Sequence, residues 1–166
     1  MAQGNTRIST KEYVVHLKPQ SNTAEVRKRI EKLGSWSEIP GHADTYLVHV
    51  DAAFKSAREG WKTLCKAAGS AGEVLPVFVT AEGEPQYSVG TVHLRFPTPP
   101  SDEELKDLLP ASVRMIERNE YVPAQIAVVP TNLRSQFLPD VLSELQQQSG
   151  AEVQVWPETL QAFRRA

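Results

Sequence analysis

Apolar and polar positions along the chain alternate in a way that predicts a short strand, helix, strand, strand, helix, strand series, and then predicts it again. Glu12 to Lys18 is rich in β-branched residues and predicts a strand; Pro19-Gln20-Ser21-Asn22 follows, then Thr23 as a helix cap. In the helix expected from Ala24 to Leu33, the residues Val26, Ile30 and Leu33 recur at i, i+4 and i+7, which makes one apolar stripe, and Gly34 is expected to end it. Ser35 to Ile39 and Asp44 to Val50 predict two strands around the turn-forming Pro40-Gly41-His42-Ala43. Asp51 is then expected to cap a helix from Ala52 to Ala68, carrying Phe54, Trp61, Leu64 and Cys65, with Gly69 as its stop and Val74 to Thr80 as a last strand.

The pattern restarts at a local repeat: Val15-His16-Leu17-Lys18 recurs as Val92-His93-Leu94-Arg95, 77 residues later. Gly90 to Phe96 predicts a strand, and Ser101 with Glu104 forms the signature of a capping box before Leu105, Leu108 and Leu109, with Pro110 as the stop. Ser112 to Glu117 and Gln125 to Val129 predict strands flanking a loop of residues 118–124. A helix from Leu138 to Gln148 follows, with Pro139 in its first turn and Val141, Leu142 and Leu145 on its buried side. Gly150 then gives way to a strand from Ala151 to Trp156.

Both halves therefore predict an α+β fold of two tandem ferredoxin-like β-α-β-β-α-β sandwiches, antiparallel sheets with helices on one face. The expected division is 1–80 for the first repeat, 81–90 for a linker, 91–158 for the second repeat and 159–166 for an extended tail. One larger α/β sheet is the alternative. Pro76 predicts an edge strand or a bulge. In such sandwiches the second sheet face meets water or a partner, and His16, His49 and His93 could lie on it.

Composition and charge narrow the function. The chain has 166 residues, 40% of them hydrophobic and 23% charged, the profile of a folded domain. A net charge of −2 gives no field for gathering nucleic acid. A single cysteine, Cys65, excludes an intramolecular disulfide, and no Cys/His spacing predicts a metal site, so no metal and no cofactor are expected. The polar start Met1 to Arg7 predicts neither a secretory signal nor a membrane anchor, and no apolar run reaches the roughly 18 residues of a membrane span, which makes cytoplasmic the expected location. Neither a phosphate-binding glycine loop nor a G-x-S-x-G elbow occurs. Asp102-Glu103-Glu104 opens a helix, where negative charge suits the dipole, and Trp36, Trp61 and Trp156 fit core or interface positions.

From about Val74 onward, with a weaker echo in the first half, the sequence resembles the propeptide region of subtilisin-like serine proteases. The residues that carry the likeness are Pro85-Gln86-Tyr87-Ser88-Val89-Gly90-Thr91-Val92-His93-Leu94-Arg95-Phe96, the helix from Asp102 to Leu109, and the helix ending at Ser149-Gly150. The segment Ala151-Glu152-Val153-Gln154-Val155-Trp156-Pro157-Glu158 and the tail Thr159-Leu160-Gln161-Ala162-Phe163 complete it. The resemblance implies a non-catalytic module that binds a subtilisin-like protease as folding chaperone or inhibitor, its sheet face on two surface helices and its tail in the cleft. It implies Leu160 and Phe163 as anchoring side chains, with Gln161 and Ala162 between them and the end near Ala166 in the active site. Glu117 and Glu120 are the implied carboxylates for the N-termini of the protease helices. The catalytic motifs of such proteases are missing from this sequence, so no hydrolysis is expected of it. The competing expectations are a regulatory or oligomerising interaction module with a non-protease partner and, with less behind it, a small-molecule sensor.

Overall fold

A computed structural model describes residues 6–19 and 21–160. Among them, eight strands and four α-helices make an α+β protein: β1 (Arg7–Leu17), α1 (Thr23–Ile30), β2 (Gly34–Glu38), β3 (Thr45–Val50), α2 (Ala57–Ala68) and β4 (Gly72–Val79), then β5 (Pro85–Arg95), α3 (Asp102–Leu108), β6 (Val113–Arg118), β7 (Gln125–Pro130), α4 (Leu138–Ser149) and β8 (Gln154–Thr159). Hydrogen-bonded neighbours run β2-β3-β1-β4-β5-β7-β6, with β8 also on β5. The chain forms two compact units that divide after Ser88, in the middle of β5, and Leu160 returns to the first of them.

In the first unit, β1 is central, antiparallel to β3 on one side and β4 on the other. The local rules explain most of its helices. The side chain of Asn22, not Thr23, caps α1 by accepting from the Glu25 N–H at 3.2 Å, and Val26 and Ile30 are its buried stripe. Helix α2 begins at Ala57 instead of Ala52, because Ser56 caps it through the Glu59 N–H at 3.1 Å while Phe54 donates its N–H to Thr10 O at 3.1 Å. That last bond ties the segment before α2 to β1 and takes it out of helical conformation. Helix α2 packs on β1 and β4, burying Trp61, Leu64 and Ala68. Gly34 starts β2 and does not merely stop a helix: a Cβ there would stand 2.1 Å from His49 O, so only glycine lets β2 approach β3 so closely.

Pro76 sits on an interior strand, and the sheet adapts around it. It lies opposite Tyr13 where the β1–β4 register shifts between Ile8 and Tyr13. Within that irregularity the buried Ser9 hydroxyl accepts from the N–H groups of Lys11 and Glu12 at 3.1 and 3.0 Å, and Ser88 Oγ donates to Pro76 O at 2.6 Å. The backbone groups released by the bulge thus find partners.

Of the expected alternatives for the second sheet face, water or a partner surface, the centre of this unit is not open to water. Tyr13 reaches α2 through its hydroxyl, which donates to Ala57 O at 3.3 Å, so Val14 and its partner Leu75 point to the opposite side. Val14, Leu75 and Val77 are nevertheless buried. The run Val74 to Val79 is apolar without alternation, which is the pattern of a strand covered on both faces.

Residues 80–84, expected in or beside a linker, are a tight reversal between β4 and β5. Thr80 N–H donates to Glu84 O at 3.0 Å and Gly83 N–H to Thr80 O at 2.9 Å, and strand structure resumes at Pro85, ahead of the expected Gly90. In the second unit β5 pairs antiparallel with β7, and β7 with β6. Ser101 and Glu104 form the complete capping box of α3, each side chain accepting from the other's backbone N–H at 3.1 and 3.0 Å. Pro139 lies in the first turn of α4, whose Leu138, Val141 and Leu145 are buried, while Leu142 is half-buried.

Candidate functional site

One face of the second unit's sheet gathers a group of polar side chains with defined partners. Along β5, Val92 and Leu94 are fully buried, and His93 between them points the other way. The same alternation along β8 buries Val153 and Val155 toward α4 and leaves Trp156 and Glu158 to the other side. The imidazole of His93 stacks on Trp156, ring centroids 5.6 Å apart and planes 23° from parallel, and its Nε2 lies 2.8 Å from Glu158 Oε1. A small cavity of about 50 Å³ opens beside it, lined by His93, Glu117, Asn119, Gln125, Ile126 and Ala127. That space takes a few water molecules or one short side chain, not a metabolite.

The hairpin joining β6 and β7 is braced. Asn119 Oδ1 accepts from the N–H groups of Tyr121 and Val122 at 2.9 and 3.0 Å, closing the loop on itself. Arg118 holds the loop to the start of α3: its guanidinium donates to Pro123 O at 3.2 Å, to Asp102 Oδ1 at 3.2 Å and to Pro100 O. Glu120 and Tyr121 therefore project from a stiff tip, exposed to solvent.

The expected site residues are placed as follows. Glu117 is on β6, exposed, and lines the cavity beside His93. Glu120 is on the same hairpin, in the loop, and the two share one end of the second unit. Leu160 belongs to the first unit, half-buried, its N–H donating to Tyr87 O at 2.8 Å, so its backbone continues the hydrogen bonding of β5. Gln161, Ala162, Phe163 and Ala166 lie outside the described residues. His93, Trp156, Glu158, Asn119 and Gln125 join Glu117 without having been singled out as partner-binding. The signal for His93 was its place in the repeated Val-His-Leu segment, but only the neighbouring of β8 and β5 brings Trp156 and Glu158 to it.

In the first unit, His16 and His49 lie on the sheet side opposite Tyr13 and α2. His16 Nδ1 is 3.1 Å from Thr45 Oγ1, and His49 is opposite Glu12 across the β1–β3 ladder. Among the described residues, no group of three or more His, Cys, Asp or Glu side chains is arranged to hold a metal ion, and no helix is long and apolar enough to cross a membrane. No protein-family model and no curated protein matches the chain.

Proposed function

We propose that this chain is a non-catalytic module of the subtilisin-propeptide type, which binds a subtilisin-like serine protease as a folding chaperone, an inhibitor or both. The observation that carries the reading is the braced β6–β7 hairpin of the second unit, beside the sheet face that bears His93, Trp156 and Glu158. Glu120 stands on the connection between the second and third strands of the second half, where the resemblance asks for a carboxylate, and Glu117 lies near the end of β6 that leads into it. The strand orders support it: β2-β3-β1-β4 in the first half and β6-β7-β5-β8 in the second are the same series, which we read as two ferredoxin-like repeats.

The physics of docking follows from two elements. A carboxylate on a stiff loop stabilises the unpaired N–H groups at a helix N-terminus, by about 0.3–1 kcal/mol for an exposed contact. An extended tail after β8 adds as a strand beside a substrate-binding strand, its backbone giving affinity and alternate side chains filling pockets. The sheet face supplies binding and the tail supplies inhibition, so the two are separable.

The test is to titrate the full chain, and a form lacking residues 160–166, into a subtilisin-like protease while following peptide hydrolysis and binding. The full chain inhibits; the shortened form binds with weakened inhibition. Glu117→Gln with Glu120→Gln weakens binding about 3- to 30-fold. Absence of binding by both forms overturns the proposal.

A further inference from the structure

Among the described residues the large apolar side chains that stand exposed are Met115 at 42%, Ile116 at 46% and Tyr121 at 91%, and all three belong to the β6–β7 hairpin. Strand β6 ends the series of paired strands, so its outer backbone edge has no strand neighbour in that series. An apolar edge of this kind is a template for another chain.

The residues around the apolar pair identify the occupant. The register with β7 places Arg114 opposite Val129 and Glu117 opposite Ala127, with Ile116 as the extra residue of a bulge between Met115 and Glu117. Val129 and Ala127 are two apart and share a face, so the bulge brings Arg114 and Glu117 onto that one face. In a regular strand, residues three apart would point to opposite sides. With the bulge, the segment Arg114-Met115-Ile116-Glu117 is self-complementary when read against itself in the antiparallel sense.

We infer that β6 is a homodimerisation edge: two copies of this chain pair antiparallel about a two-fold axis, Arg114 of each opposite Glu117 of the other and Met115 against Ile116. Opposite charges directly across an antiparallel pair are favourable and like charges are not, so the same four residues that fit this register penalise a slip. The antiparallel arrangement also sets the hairpin tip of one copy beside the segment preceding β6 in the other, where Leu108, Leu109 and Pro110 are only half-buried and can cover Tyr121. Because the contact is isologous it closes on itself and stops at two copies. It goes beyond the protease reading and shares Glu117 with it, and the two fail separately, since one is measured by self-association and the other by titration of a second protein.

Sedimentation velocity of the full chain over a concentration series, up to about 1 mM, tests it. The wild type shows a reversible monomer–dimer equilibrium. Ile116→Lys is monomeric throughout, and Arg114→Glu weakens the dimer about tenfold or more by setting like charges opposite each other twice. The charge swap Arg114→Glu with Glu117→Arg recovers the wild-type constant to within about threefold. Far-ultraviolet circular dichroism confirms that each variant folds. A wild type that stays monomeric, a dimer indifferent to Ile116→Lys, an exchange that fails to recover, or species growing beyond the dimer overturns the inference.

Discussion

Gly60→Ala should destabilise the protein, although the same change in an ordinary helix stabilises it. Gly60 lies within α2, where alanine is normally favoured by about 1 kcal/mol. Here a Cβ would stand 2.0 Å from Tyr13 Oη, 2.5 Å from Tyr13 Cζ and 2.6 Å from Phe54 Cδ2. The Tyr13 ring cannot give way cheaply: it is fully buried, meets Phe54 edge-on at 6.1 Å between centroids, and is held by its bond to Ala57 O. Forcing a methyl into a packed site costs about 1–3 kcal/mol, and losing the hydroxyl bond adds about 0.5–1.5 kcal/mol. Against the propensity gain, the net loss is about 0.5–3.5 kcal/mol. Urea denaturation followed by tryptophan fluorescence measures it, with an unchanged m-value showing that the unfolding reaction is the same. Tyr13→Phe removes the nearest atom but leaves the ring carbon and Phe54 in place, so in that background the cost of Gly60→Ala falls by about 1 kcal/mol without vanishing. A Gly60→Ala protein more stable than wild type by about 1 kcal/mol would refute the close approach of α2 to β1.

Three further outcomes are expected. Ser101→Ala removes the cap of α3 and costs about 1 kcal/mol in urea denaturation. The same change lets the carboxyl of Glu104, held below its ordinary range by the backbone and side-chain hydrogen bonds of Ser101, titrate higher in an NMR pH series. Because that carboxyl is depressed in the folded state, its contribution to stability is present above its ordinary pKa and is lost as pH falls through the folded value; an unmoved carboxyl in Ser101→Ala refutes the link. Burial, with Glu59 nearby as the lesser cause, pushes the Tyr13 hydroxyl up to about 12. Its contribution to stability is therefore complete below pH 10 and lost between there and about 12, and absorbance titration of Tyr13→Phe should lack the last phenolate step. His93→Ala takes the cover from Trp156 and the partner from Glu158; with both side chains partly exposed, it costs about 1 kcal/mol and changes the Trp156 emission.

Much of the local structure was legible in the residues because local chemistry decides it. The capping box of α3 needs only Ser101 and Glu104 three apart, and Pro139 can stand in α4 only in its first turn. Where the sequence misled, a distant contact outweighed a local signal. Asp51 has the chemistry of a helix cap, yet α2 waits for Ser56 because Phe54 is bonded to Thr10. Gly34 has the chemistry of a helix stop, yet its use is to let β3 pass close by. The apolar run through Val79 announced burial on both faces, a sign that outranks the general expectation of a half-solvated antiparallel sheet.

The candidate site divides in the same way. Glu117 and Glu120 were named from the sequence through the resemblance, which asks for a carboxylate between the second and third strands of the second half. The residues beside Glu117 could not. His93 and Glu158 are far apart in the chain and meet only because β8 lies along β5, and strand order is a property of sheet assembly that no local spacing encodes. The bulge at Ile116 likewise depends on the pairing of β6 with β7, and it alone turns Arg114 and Glu117 to one side. By itself, the sequence determined most of the elements and their α+β order, because hydrophobic period and capping act over a few residues. The tertiary structure decided which side chains face one another, because that is set by register and by the packing of strands distant in the chain.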